Sequence, residues 1–128
     1  MKVVQEINEV KEGGYILIEG VPCKIEKVSS SVAGKHGARK YHVEAIGLFD
    51  GKRRSITKPS GENVEVPILE RKRAQVLAIM GERVQLMDLS DYSVFELDLP
   101  EEIKEKVRQG EEVNYYEIMG IKTLKELK

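Results

Sequence analysis

The chain has 128 residues, 41% of them hydrophobic and 34% charged, enough for one medium core or two small ones beneath a heavily solvated surface. A formal net charge of -1 excludes a generally basic nucleic-acid coat. No apolar run reaches the length of a membrane span, and the opening Met1-Lys-Val-Val-Gln-Glu6 lacks the apolar core of a signal peptide, so the chain reads as a soluble cytoplasmic protein with no membrane partner.

Turn residues and alternation predict an almost all-β chain. Tyr15–Glu19 is a short apolar strand, and Gly20-Val-Pro22 turns it into a second strand over Cys23–Val28. Cys23 stands alone, which leaves no intramolecular disulfide; its apolar flanks make it a buried, inert thiol. Arg39–Ile46 alternates polar and apolar residues with the period of a half-buried strand. Phe49-Asp-Gly51 supplies a hairpin turn, Lys52–Thr57 returns, and Pro59-Ser-Gly61 turns again before Asn63–Leu69. Five short strands in about seventy residues suggest a small closed barrel, because closure hides sheet edges.

The charged block Glu70-Arg-Lys-Arg73 reads as a separator before a second β pattern. Strands are expected over Ala74–Met80, Arg83–Leu89 and Val94–Leu99, with turns at Gly81-Glu82 and Ser90–Ser93. A helix is predicted over Glu101–Gln109: Pro100 suits its first turn, Glu101 and Glu102 favour the positive end of its dipole, and Gly110 stops it. Ile103 and Val107, four apart, would form its apolar face. Glu112–Ile118 closes the sheet, and Ile121–Leu127 is left open between strand and helix. Strands, a short helix and further strands fit an OB-fold, giving domains at 1–70 and 71–128.

Between the second and third strands lies Ser29-Ser-Ser-Val-Ala-Gly-Lys35-His-Gly-Ala-Arg-Lys40, one lysine between two glycines at an expected hairpin tip. Glycine on either side permits positive φ and removes crowding, so Lys35 is presented outward. Charge clusters around it. Lys35, Arg39, Lys40, Lys52, Arg53, Arg54 and Lys58 meet only Glu44 and Asp50 in the same stretch. A basic end on a near-neutral chain suggests one face meeting a polyanion, with Arg39, Lys40, Lys52, Arg53 and Arg54 as candidate RNA contacts. A merely solvated hairpin face is the alternative.

The search for chemistry returns little. The loop fails the phosphate-binding pattern G-x-x-x-x-G-K-[ST], since Ser29 occupies the first glycine position and His36 the hydroxyl position. His36 and His42 lack partners at metal-ligand spacing, so no metal site is expected. Ser29, Ser30 and Ser31 lie near His36, yet a triad needs a buried acid and no G-x-S-x-G elbow exists, so no catalytic residue is assigned and no enzyme is read.

Gly13 to Val21, Gly34-Lys-His-Gly37, Ile46-Gly-Leu-Phe49, Val66-Pro67, Ala74–Gly81 and Val84–Asp88 together resemble the translation initiation factor 5A family in its compact archaeal form, homologous to bacterial elongation factor P. The resemblance spans nearly the whole chain and implies an SH3-like barrel followed by an OB-fold. It implies that Lys35 is modified to deoxyhypusine or hypusine, with Gly34, His36 and Gly37 forming the modification loop. Deoxyhypusine synthase, a partner, would supply the aminobutyl group from spermidine using NAD; the chain itself takes no cofactor. The lengthened side chain would carry charge into a narrow anionic cleft of the ribosome, bordered by ribosomal RNA, and reach peptidyl-tRNA to promote peptide-bond formation at proline-rich stalls. Val32 and Ala38 depart from many relatives. Two rival readings are an unmodified two-barrel RNA-binding or ribosome-associated protein, and an RNA-processing enzyme on an OB scaffold.

Overall fold

The computed structural model describes residues 2–32, Gly37 and residues 39–127. Among the described residues, eleven strands form two separate sheets, in units Met1–Ile68 and Leu69–Lys128. The first unit contains β1 (Lys2–Glu6), β2 (Tyr15–Ile18), β3 (Val21–Val32), β4 (Arg39–Gly47), β5 (Arg53–Pro59) and β6 (Asn63–Pro67), in the order β1-β6-β2-β3-β4-β5. Every pairing is antiparallel.

Alternation decides which side of this sheet is core. Cys23, Ile25, Val43 and Ala45 point inward and join Ile7, Ile16, Ile18 and Val64. Each fully buried aliphatic side chain there contributes about 1.5–3 kcal/mol. Strand β3 could not hold a simple alternation, because Ile25 and Val28 are three apart and both face the core. A β-bulge at Glu26 resolves the conflict: the pairing steps from Ile25↔Ala45 to Lys27↔Glu44, so one extra residue re-phases the strand. Cys23 is fully buried, as expected, and its burial pushes the thiol pKa up.

The second unit contains β7 (Leu69–Met80), β8 (Arg83–Asp88), β9 (Val94–Asp98), β10 (Glu112–Ile118) and β11 (Ile121–Thr123), ordered β11-β10-β7-β8-β9. Strand β11 returns alongside β9, which curls the sheet towards closure. Ala74, Val76, Val84, Leu86, Leu99 and Tyr115 fill its interior.

Two expectations change, one open segment is settled, and one strand is added. Strand β1 pairs along its length with β6 although nothing in its polar sequence announces it. The block Glu70–Arg73 is no separator but part of β7, where Lys72 bridges the facing carboxylates of Glu117 at 3.1 Å and Glu70 at 3.8 Å. The expected α-helix is a 3-10 segment over Glu101–Lys106 with Pro100 as its N-cap; Val107 is already extended and buried. Ile103 packs on the core from the 3-10 segment, and the chain straightens directly beyond it to bury Val107. The open segment Ile121–Leu127 resolves as a strand over only Ile121–Thr123.

Candidate functional site

Beyond the core pair Val28↔Val43, β3 and β4 continue as a ribbon through Ser29↔His42, Ser30↔Tyr41, Ser31↔Lys40 and Val32↔Arg39. Residues 29–32, 39 and 40 are all exposed. Tyr41 still packs against the core and β5 stays paired as far as Lys40↔Pro59, so only the steps Ser31↔Lys40 and Val32↔Arg39, about 7 Å, run past it. Small hydroxyl side chains suit this position, since they satisfy a two-sided solvated strand without needing cover. Arg39 donates across the ribbon to Ser30 Oγ at 3.0 Å, and its carbonyl accepts from the Ser60 amide at 2.7 Å, which ties the ribbon to the β5–β6 turn.

Residues 33–38 join the ribbon's two strands. Gly37 is exposed. Gly34, Lys35 and His36 lie outside the described residues, so their expected roles rest on the ribbon beneath them and on the family.

The five candidate RNA contacts do not form one patch. Arg39 and Lys40 sit at the loop end of β4. Arg53 and Arg54 pair with Ile46 and Ala45 at the other end, about 23 Å along the strand, and Lys52 lies in the hairpin beyond them. The five also divide between faces. Directly paired residues share a face, so Arg39 and Arg54 lie on the side of Tyr41 and Val43, while Lys40 and Arg53 lie on the other.

Arg54 has an internal task. Its guanidinium donates to both Asp50 carboxylate oxygens, at 3.1 and 2.8 Å, and these bonds hold the Asp50 pKa down to about 2. Gly47 lies against this pair. A Cβ there would fall inside Asp50 Oδ1 and 2.8 Å from the Arg54 guanidinium nitrogen, so glycine is required for space, not for φ. Arg53 pairs with the bulge residue Glu26 at 2.7 Å, with its own side chain 76% exposed. Sequence reasoning missed Lys24 and Lys27, which the register places on the same outer face as Lys40 and Arg53. The signal was hidden by the bulge: without it, the parity of Lys27 reads wrongly.

In the second unit, Asp88 is 2% exposed and accepts from the Ser90 amide at 2.7 Å, Ser90 Oγ at 2.5 Å, the Asp91 amide at 3.2 Å and the Tyr115 hydroxyl. These donors hold its carboxyl well below the usual range, Ser90 and Tyr115 contributing most. The cluster organises the β8–β9 turn, whose Tyr92 takes a left-handed φ of 62° with its side chain outward.

Residues 2–62 match the family model described as "Translation initiation factor 5A-like, N-terminal", and residues 68–128 match "Eukaryotic elongation factor 5A hypusine, DNA-binding OB fold". Translation initiation factor 5A of Methanocella arvoryzae is 52% identical over 120 residues, covering 94% of each chain. The chain belongs to the translation initiation factor 5A family. The protein of that name from Archaeoglobus fulgidus is 49% identical over the same share. The solved structure of eukaryotic translation initiation factor 5A from Methanococcus jannaschii superposes with a TM-score of 0.83 at 43% identity, covering 94% of this chain and 90% of that one. A family protein from Naegleria fowleri gives 0.75 at 33% identity, covering 99% and 98%. The chain is therefore a translation factor of this family, mainly β, with an OB fold in its second half. Among the described residues, no helix is long and apolar enough to cross a membrane.

Proposed function

We propose that this factor acts at the ribosome through a deoxyhypusine or hypusine side chain at Lys35, which promotes peptide-bond formation at stalled, proline-rich sites. The observation that carries the reading is the pair of exposed strand ends, Ser31–Val32 and Arg39–Lys40, that flank the segment containing Gly34-Lys35-His36-Gly37 in a chain of this family. The exposed strand ends leave room for a modifying enzyme and then a narrow cleft to close around the segment between them. Deoxyhypusine synthase would transfer the aminobutyl group from spermidine, with NAD as its own cofactor. The second amine at the end of a longer stem then brings cationic charge to ribosomal RNA and to the end of peptidyl-tRNA, where phosphate attraction is strong. Lys35 is a substrate of that chemistry, and the factor contributes no catalytic group.

Intact mass of the protein from its native host tests this. An added aminobutyl group confined to Lys35 is expected, and Lys35→Arg as the sole copy should fail to support growth with the fold intact. An unmodified mass, together with growth on Lys35→Arg, would replace this reading with that of an unmodified RNA-binding protein.

A further inference from the structure

The two ends of the first sheet are not alike. At one, β5 comes back alongside β2, which curls that end towards closure. At the other, β1 pairs with β6 in unbroken register, and no strand pairs with its other side among the described residues. Parity fixes what that side offers. The Ile7 amide donates to the Glu62 carbonyl at 2.8 Å, so in this antiparallel ladder Ile7, Gln5 and Val3 turn their N–H and C=O groups to β6. Pro67, which has no N–H to give, stands opposite Lys2, in a pair that needs none. Lys2, Val4 and Glu6 therefore direct their backbone groups away from the sheet. Sheet edges are usually guarded by proline, a bulge or repelling charge. Strand β1 has neither proline nor bulge, and Val4, 61% exposed, is the most exposed large apolar side chain described in the first unit. Its charges stand at the two ends with opposite signs, so they repel most strands but not a reversed copy of β1.

We propose that β1 is a self-association edge, through which two copies of the chain pair antiparallel over Lys2–Glu6 about a two-fold axis at Val4. Complementarity names the occupant. With Val4 opposite the partner's Val4, Lys2 falls opposite the partner's Glu6 and Glu6 opposite the partner's Lys2. This register engages the backbone groups of all three outward residues, two hydrogen bonds for each opposed pair, and sets opposite charges together at both ends. A shift of two residues either way leaves one outward residue without a counterpart and places Lys2 or Glu6 against Val4. The side chains agree with the backbone. Lys2, Val4 and Glu6 share the face of Glu65, so the two Val4 side chains meet across the axis between the ion pairs. Lys2 already forms an exposed ion pair with Glu65, weak enough to be shared with the partner's Glu6. The pairing displaces an exposed contact from the Glu6 amide to Glu9 Oε1, long at 3.4 Å. Five residues a side bury less than the ~1,200 Å² of a stable interface, so the dimer is reversible and fills at high protein concentration. Neither hypusine nor RNA enters the argument, which is independent of the ribosome reading.

Sedimentation equilibrium of the full chain, with nothing fused ahead of Met1, tests this from about 20 µM to about 1 mM, where a transient interface of this size titrates. A reversible monomer–dimer equilibrium is expected. Over the same range, hydrogen exchange at the Val4 amide should slow as concentration rises, while the Val3 and Gln5 amides, already turned to β6, stay unchanged. Lys2→Glu and Glu6→Lys each set like charges opposite one another at both ends of the dimer, and each should weaken self-association by about tenfold. Mixed one to one, the two variants restore opposite charges at both ends, so the mixture should associate about tenfold more tightly than either alone. Lys35→Arg should dimerise as the unaltered chain does. A chain that stays monomeric at about 1 mM overturns the proposal. So does a dimer that leaves exchange at Val4 unchanged, a mixture that associates no better than its components, or a dimer lost with Lys35→Arg, which would place the contact at the loop.

Discussion

Replacing Asp88 by Asn isolates the charge of one buried carboxylate. Asp88 Oδ1 accepts three bonds, from the Ser90 amide, Ser90 Oγ and the Asp91 amide, and Oδ2 accepts one from Tyr115. Asparagine can keep its oxygen towards the three clustered donors and turn its amide to Tyr115, whose hydroxyl can rotate to accept. The geometry survives and the charge assistance does not. Bonds to a charged acceptor contribute about 1.5–3 kcal/mol each and neutral ones about 0.5–1.5, so three bonds lose about 3 kcal/mol, less the desolvation no longer incurred. A net loss of about 2 kcal/mol at pH 7 is expected from hydrogen exchange at the Leu86 and Tyr115 amides, which report on the second unit. The depressed pKa fixes the pH dependence. Below the unfolded carboxyl pKa of about 3.9 the unfolded chain takes up a proton that folded Asp88 refuses, so the wild-type advantage declines as pH falls from there towards the folded value. The gap between wild type and Asp88→Asn should therefore narrow below pH 4. A gap under about 0.5 kcal/mol at pH 7, or one that does not change with pH, would refute a charged, fully bonded Asp88.

Gly47→Ala should displace the Asp50–Arg54 pair and lower the urea unfolding midpoint; an unchanged midpoint would show that the hairpin relaxes freely. Tyr92→Gly should stabilise the second unit by about 0.5–1 kcal/mol, because a left-handed residue is relieved of its Cβ, and a lower Tm would reveal a contact made by the ring. Gly37→Val should block labelling by deoxyhypusine synthase with spermidine and NAD although Lys35 remains, since a β-branched residue stiffens the loop; normal labelling removes the geometric argument.

Strands whose two faces differ chemically were legible from residues alone. Arg39–Ile46, whose alternation predicts a half-buried strand, gains only Gly47, and Glu112–Ile118 is observed over its expected bounds. Strand β1 was not legible, because Lys2-Val-Val-Gln-Glu6 is exposed or half-exposed throughout and becomes a strand only by pairing with β6. The 3-10 segment misled for a related reason. Pro100, Glu101 and Glu102 are sound start signals for a helix of either winding and do not set where it ends, and the chain turns extended at Val107, well short of Gly110. The block Glu70–Arg73 looked like a linker because its charges were read singly, whereas Lys72 neutralises carboxylates that only strand pairing brings face to face.

The site divides along the same line. A lysine between glycines is a local pattern, and the ribbon that holds it follows from a strand too polar to be covered, so both can be read along the chain. A face is not local. Arg39 and Lys40 are neighbours in sequence yet point to opposite sides, and Lys24 and Arg53 are remote in sequence yet share a row. Assigning them correctly needs the register of three strands and the single residue that breaks it. Glu26 carries that information, and its effect is sharp: drawing it into regular pairing would turn Val28 to the solvent and Lys27 to the core, exchanging the two faces of β3 from that point to the loop, whereas deleting it would leave Ile25 inward, Lys27 outward and Val28 inward in unbroken alternation. With Glu26 in place, the outward setting of Lys27 and the burial of Val28 in the first unit therefore depend on the same bulge.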